Sequence, residues 1–505
     1  MKKLLLILLV TPIFSFAQWT LIDSPINGEV AGDRSGQTIS ISSDGNVVAI
    51  AAPFNDENGN NSGHVRVYEN DEGVWRQIGD DIDGVITMDY LGGFDLLNHH
   101  DAAPLCLNSD GSVIAIGAPH SFNSGAGSES GRVRVYANIS GTWTQVGQDV
   151  IGSGAFHWLG FSVDLNSEGN ILAVGTRQSS SNTSFGGYAR IYELISGVWT
   201  PLGSVISAEA MQDGFGASIS INADGDVVAI GAPFNDGNGN GSGHVRVYEF
   251  ASNVWTQIGV DIDGEAAGDF SGSSISLNEQ GNIIAIGAKQ NDATVFGSNS
   301  GHVRVYENVS GIWMQVGVDI DGSTSGELFG FSVNLNAMGN RLIIGAKSKN
   351  ANGASSGQVT IYDNISGSWT QAFSEINGAA AGNEFGYSVG ISGDGFTIAS
   401  GAPQNDTNGG DSGQVRVYRD QTSLGVNDIN LTENQTSLYP NPTTSYFETK
   451  SNSILSSIEI YSLEGQTIKK FKPQKQYDIS DLSSGIYFIK IQTNNGEITK
   501  KIVKQ

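Results

Sequence analysis

Two groups of residues in this 505-residue chain have types and spacings that could do chemistry. The first is a pair of loops that place side-chain oxygens at alternate positions: Asp56, Asn58 and Asn60 in one, Asp236, Asn238 and Asn240 in the other. Hard cations such as calcium are held by oxygens spaced in this way, so calcium is the cofactor these loops suggest. Asn, Asp and Gly are equally what a tight turn requires, and no glutamate follows where an EF-hand loop would close its shell. Turn and ion site both stand. The paired aspartates of the DIDG segments (Asp81/Asp83, Asp261/Asp263, Asp319/Asp321) read the same way, since Asp before Gly is an ordinary turn.

The second group is imidazole and aromatic. His64, His244 and His302 belong to a recurring GHVRVY segment, whereas His99, His100, His120 and His157 fall outside it. His99 and His100 sit with Tyr90, Phe94 and Asp101 in Val85–Pro104, a stretch longer than its counterparts elsewhere, and Trp158 adjoins His157. Such groups on an open loop surface can stack on a sugar or anchor a protein partner, and imidazole also ligates transition metals. The apolar residues of the long stretch could instead fold down as a lid. Nucleophilic catalysis has no such foothold. There is no GxSxG elbow, and the single cysteine, Cys106, lies in the strand-like PLCLNS, where a buried thiol is expected.

These residues need a scaffold, and the chain repeats one. Phe215–Gly264 contains four short alternating runs, ASISIN, VVAIGA, HVRVYEF and VWTQIGVDI, separated by turn signals. Asp224-Gly225 predicts a two-residue hairpin between the first two, and Ala251-Ser252-Asn253 a short turn between the last two. The third run recurs with its tyrosine at Tyr68, Tyr136, Tyr192, Tyr248, Tyr306, Tyr362 and Tyr418, spaced 68, 56, 56, 58, 56 and 56 residues apart. A period in this range with four strands per unit predicts a β-propeller. The tryptophan of the fourth run follows the first six tyrosines but not Tyr418; its counterpart is Trp19, near the N-terminus. A closed ring explains that split. The expected fold is all-β: a seven-bladed propeller over residues 18–419, closed by the N-terminal strand.

The ends have their own logic. Lys2 and Lys3, the apolar Leu4–Phe16 and the small-residue site Ser15-Phe16-Ala17 predict a signal peptide over residues 1–17. No cysteine follows it for lipid attachment, and no later stretch is apolar enough to span a bilayer, so no transmembrane anchor is expected after cleavage. The formal net charge of −26 argues against nucleic acid and suits a solvated extracellular surface. Residues 420–436 read as a polar linker, and 437–505 as a second, small β-sandwich-like domain.

Two resemblances follow. Phe215-Gly216 with Gly231-Ala232-Pro233, and Phe385-Gly386 with Gly401-Ala402-Pro403, resemble the FG-GAP repeats of integrin α-subunit propellers and their bacterial relatives. The resemblance implies a propeller used for protein or glycan binding. The calcium loops of integrin repeats lie between the first two strands, where this chain has tight hairpins such as Ser43–Asn46, so those sites are not carried over. At the C-terminus, Tyr439-Pro440-Asn441-Pro442, Leu482–Tyr487 and Lys501–Lys504 resemble the type A sorting domain of the type IX secretion pathway. That implies the type IX machinery as a partner and a secreted or outer-surface location.

In a four-strand meander the 2–3 and 4–1 connections share one end of the blade. All the long loops therefore lie on one face of the ring, with His99, His100, His120, His157 and Trp158 among them. The expected function is binding of an extracellular glycan or protein through that face. A secreted lyase or hydrolase using carboxylates there, and a purely structural or adhesive surface protein, are the alternatives.

Overall fold

The computed structural model describes residues 19–93, 104–177, 186–292, 297–420, 437–439, 443–450, 455–462, 466–493 and 496–504. The chain divides into two compact units, Met1–Ser423 and Leu424–Gln505.

The first unit is seven antiparallel sheets of one design. In the fourth, Ser218–Ile221, Val227–Ala232, His244–Ala251 and Val254–Gln257 pair in chain order. The second strand is buried throughout, because both of its faces are covered. That explains an unbroken VVAIGA where a half-exposed strand would alternate. The fourth strand does not run on to Ile262 as its sequence suggests. It breaks at Gly259 (φ 74°) and resumes as Ile262–Asp263, with Ile262 opposite Val245. The break leaves a carbonyl for the next blade's tryptophan: Trp313 Nε1 donates to Ile258 O at 3.0 Å, and Trp255 Nε1 to Leu202 O at 2.9 Å.

The turns also differ from the sequence expectation. Gly225 N donates to Asn222 O at 3.1 Å and only Gly225, not Asp224, has positive φ, so the 1–2 connection is a four-residue turn ending in a left-handed glycine. The two-residue turn with both φ positive lies between strands three and four, at Ser252 (53°) and Asn253 (67°). Asn222 explains the choice: its Oδ1 accepts from Asp226 N and Val227 N, closing the wider loop from inside.

The ring closes as its split tryptophan predicts. Trp19–Leu21 pairs with Gln414–Asp420, Trp19 opposite Asp420 and Leu21 opposite Tyr418, so the first residues described complete the seventh sheet. At the 1–2 turns a second closure appears. Ser43 N donates to Ser109 O, and the relay continues through Ser167, Ala223, Glu279, Ala337 and Gly393 back to Ser43 O, over N···O distances of 2.7–3.3 Å. The FG and GAP glycines pack adjacent blades. A Cβ on Gly231 would lie 2.2 Å from Gly272 O, the same oxygen that accepts from Ser218 Oγ at 2.7 Å.

The second unit holds a four-stranded and a three-stranded sheet. Its core is Phe447, Ile458, Ile460, Tyr477, Ile479, Ile489, Ile491 and Ile502, with Phe447 stacked on Tyr477 at 5.0 Å.

Candidate functional site

The seven first strands line a central cavity of about 290 Å³. Its lining is committed to holding the ring together. The equivalent lining positions are Ser40, Cys106, Asp164, Ser220, Ser276, Asn334 and Gly390, and the side chains of five of them accept a backbone N–H from the next blade. Leu107 N reaches Ser40 Oγ at 2.9 Å, Ile221 N reaches Asp164 Oδ2 at 2.8 Å, and Ile391 N reaches Asn334 Oδ1 at 3.0 Å. Cys106 Sγ donates to Asp164 Oδ1 at 2.9 Å; burial and then the aspartate charge push the thiol well above its usual range. A thiol so held is not a nucleophile at neutral pH.

The long-loop face carries a second arrangement, in which Tyr90 is buried and Phe54, His120 and Trp158 are half-buried. Two positions recur there at the inner ends of the strands: the residue after each GAP-like segment, and the residue two before each FG-like glycine. The latter has positive φ in every blade: Arg34, Tyr90, Trp158, Gly214, Phe270, Leu328 and Glu384. An aspartate just before it fixes the loop in several blades; Asp33 Oδ2 accepts from Val30 N at 3.1 Å and Asp213 Oδ2 from Ala210 N at 2.9 Å.

Over the first five blades, side chains at or next to these positions join into one arc. Arg34 lies over Phe54 (4.9 Å), Phe54 meets Tyr90 edge-on (5.6 Å), Tyr90 meets His120 (5.8 Å), and His120 meets Trp158 (4.8 Å). Beyond Trp158, Arg177 lies between Phe161 and Phe234 at 5.1 and 5.0 Å, and Phe234 meets Phe270 at 5.5 Å. Glu129 ties the middle together. Its Oε2 accepts from Trp158 Nε1 at 2.8 Å and lies 3.4 Å from His120 Nδ1. The His120 contact, against the opposing effect of burial, holds the Glu129 carboxyl below its ordinary range, and burial lowers His120. The later blades turn cationic: Lys289 and Lys347 flank the Phe331 ring at 5.2 and 4.5 Å, and Lys347 pairs with Glu384 at 3.5 Å.

Of the residues singled out in the sequence, the structure thus joins Tyr90, His120 and Trp158. His157 stands aside, 5.9 Å from the Tyr188 ring and 3.3 Å from Ser153 Oγ. Phe94, His99, His100 and Asp101 lie outside the described residues. The extra length of Val85–Pro104 belongs to that undescribed part. Asp89 caps Val85 N at 2.8 Å, and Gly92 N donates to Gly117 O like every FG glycine, so Val85–Gly93 is an ordinary loop.

The candidate calcium loops serve their own backbone. Asp56 Oδ1 accepts from Asn61 N (2.7 Å), Asp236 Oδ1 from Gly241 N (2.8 Å), and the Asn58 and Asn238 amides donate to Gly84 O and Gly264 O (2.6 and 2.8 Å). Asn60 Oδ1 and the Asn240 amide make only 3.4 Å contacts within the same loops, to Asn61 and Asp236.

A third constellation escaped sequence reasoning. The repeat's own histidines face the first aspartate of DIDG: His64 Nδ1 is 3.3 Å from Asp81 Oδ2, and His244 Nδ1 is 3.5 Å from Asp261 Oδ2. Glu29, Glu209 and Glu265, from the loop entering each blade, complete the groups around His64, His244 and His302. Burial first, then the neighbouring arginine, lowers each of these three histidines to about 4. Burial and then the surrounding carboxylates raise Asp83 to about 6. A pattern in the sequence pointed here. That glutamate occurs in the three blades whose third strand opens with His, and in none of the four that open with Arg132, Tyr188, Gln358 or Gln414.

Fold and face together define a β-propeller with an asymmetric loop surface. Residues 437–505 match the secretion-system C-terminal sorting domain family, which places the chain among proteins exported by the type IX pathway to the cell surface or extracellular space. No helix among the described residues is long and apolar enough to cross a membrane. Comparison with curated proteins gives no match. Among solved structures, the chain is similar to a protein of Bacteroides uniformis described as a 6-phosphogluconolactonase (12% identity, TM-score 0.44, covering 68% of this chain and 85% of the other). It is also similar to the periplasmic gluconolactonase of Pseudomonas aeruginosa (11%, 0.45, 68% and 86%) and to U3-55K (11%, 0.45, 79% and 98%). Likenesses at this level bear on neither activity nor ligand.

Proposed function

We propose that the mature protein is a non-enzymatic, FG-GAP-type propeller, exported by way of a signal peptide over residues 1–17, that binds an extracellular glycan or protein through its long-loop face. The observation that carries this reading is the arc Phe54–Tyr90–His120–Trp158. Aromatic faces and edges set on rigid strand ends suit sugar stacking and partner anchoring, and the ordering cost is already met by the left-handed loops. The carboxylate bonded to the His120–Trp158 pair is Glu129, whose Oε2 is engaged by both; hydrolysis of a glycoside takes two carboxylates flanking the bond.

The test is an array of glycans and surface proteins probed with the mature chain, with and without calcium. Trp158→Ala is expected to weaken the captured ligand at least ~10-fold, in the range of a binding hot spot, while the melting curve stays cooperative. Binding unchanged in Trp158→Ala would remove the arc from the site. Deletion of residues 94–103, between Gly93 and Pro104, probes the additional segment without touching Asp89 or Gly92.

A further inference from the structure

Around His64 the constellation has a fourth member that its relatives lack. Glu57, in the 2–3 loop, joins Glu29, His64 and Asp81, and one ligand atom from each of the four lies within 4.8 Å of the others. We infer that Glu29, Glu57, His64 and Asp81 form a binding site for a divalent transition-metal ion of the zinc type, at the seam where the last blade meets the first.

Four observations support it. His64 is 1% exposed, and its Nδ1, aimed at Asp81 Oδ2, has no hydrogen-bond partner. A buried, unpaired imidazole nitrogen is costly unless something ligates it. Its 3.3 Å separation from Asp81 Oδ2 is also the ligand–ligand edge of a tetrahedron with metal–ligand bonds of about 2.0–2.1 Å. Second, Asp81 is already oriented. Gln77 Nε2 donates to its Oδ1 at 2.5 Å, which leaves Oδ2 toward the histidine, as outer-shell partners orient a metal-binding carboxylate. Third, the charges do not balance without a cation. Three carboxylates of the group, with Asp83 beside them, face one guanidinium, Arg66, whose NH1 pairs with Glu29 at 3.1 Å; a divalent ion beside a neutral imidazole offsets most of that excess negative charge. The Asp83 Oδ1, buried in the same neighbourhood, is likewise without a partner.

The fourth observation is the co-occurrence of glutamate and histidine along the chain. Arginine at the strand-three position recurs in blades that lack the glutamate, as Arg134, Arg190 and Arg416, so the glutamate tracks the histidine and not the arginine. The groups at His244 and His302 carry three ligands each and lack the counterpart of Glu57, Gly237 standing there in the fourth blade. They serve as controls within the same molecule.

Cobalt(II) is the probe, because a four-coordinate site gives it strong visible absorption whereas octahedral aquo-ions are nearly colourless. Chelator-treated full-length protein titrated with cobalt(II) is expected to develop that band with one ion per chain, and one equivalent of zinc(II) to abolish it. Glu57→Gln, at an exposed position, is expected to weaken binding at least ~10-fold without altering the melting curve of the metal-free protein. Glu209→Gln is expected to leave the band intact. His64→Gln is expected to remove it, with Glu57→Gln standing in should that variant not fold. Absence of a visible band, or titrations of wild type and Glu57→Gln that superimpose, would overturn the site.

Discussion

Replacing Trp19 with alanine perturbs the ring at its one non-covalent joint. The side chain is 7% exposed and meets the Phe373 ring edge-on at 5.5 Å, so the substitution removes a full aromatic burial of about 3–5 kcal/mol. Its Nε1 is buried without an acceptor, so the variant also sheds an unsatisfied donor, which places the cost near ~3 kcal/mol. For a cooperative unit of roughly 400 residues the unfolding entropy is about 0.8 kcal/mol/K, giving a melting-temperature drop of ~4 °C. Trp255→Ala is the control. Its burial is equivalent at 8%, but Nε1 donates to Leu202 O and its strand is tied in by a two-residue turn. Calorimetry measures both variants, and limited proteolysis separates their mechanisms. Trp19→Ala is expected to make the chain between Trp19 and Asn27 cleavable in the otherwise native protein, whereas Trp255→Ala opens no new native-state site. A Trp19→Ala melting curve within ~1 °C of wild type, with that segment still resistant, would refute closure by this strand.

Three further outcomes are expected. Gly231→Ala places a Cβ 2.2 Å from Gly272 O and is expected to cost ~1–3 kcal/mol by denaturant titration, whereas Gly32→Ala, with open space around it, pays only for its φ of 94°. Asn334→Ala strands the Ile391 amide at the cavity wall and is expected to lose ~1–3 kcal/mol, with Asn334→Ser recovering part of it, as serine serves in three other blades. In chelator-treated protein, His244 and His302, folded near 4 against 6.5 unfolded, bind fewer protons in the folded state between those values. Their stabilisation is complete above pH 6.5 and is lost as pH falls toward 4, about 3 kcal/mol each. The raised carboxyls of Asp263 and Asp321 act in the opposite sense and reduce the net slope. Urea titrations at pH 7 and 5 should show the loss, and His244→Gln should flatten it.

Much of this architecture is legible in the residues because seven copies average out local ambiguity. The tyrosines set the period, and the displacement of one tryptophan to position 19 shows where the ring shuts. What the sequence conceals is whatever depends on distance rather than order. Gly203 and Gly259 look like loop residues, yet they mark a strand interrupted to receive a neighbour's tryptophan. Asp224-Gly225 resembles a two-residue turn, and Asn222 widens it from within. Tyr90, His120 and Trp158 could be proposed as site residues because they break the pattern. His64 could not, because it repeats the pattern, and only proximity to Asp81 and Glu29 gives it meaning.

The relay from Ser43 to Gly393 has no first or last member. A helix or sheet ladder ends in groups that fray and must be capped; here each residue donates with its N–H and accepts with its C=O, and every link has a successor. Such a circuit resists piecemeal opening, since breaking one link exposes a donor and an acceptor at once. It also counts. Each blade contributes one link, so the relay closes only when all seven turns are in place, through bonds that involve no side chain.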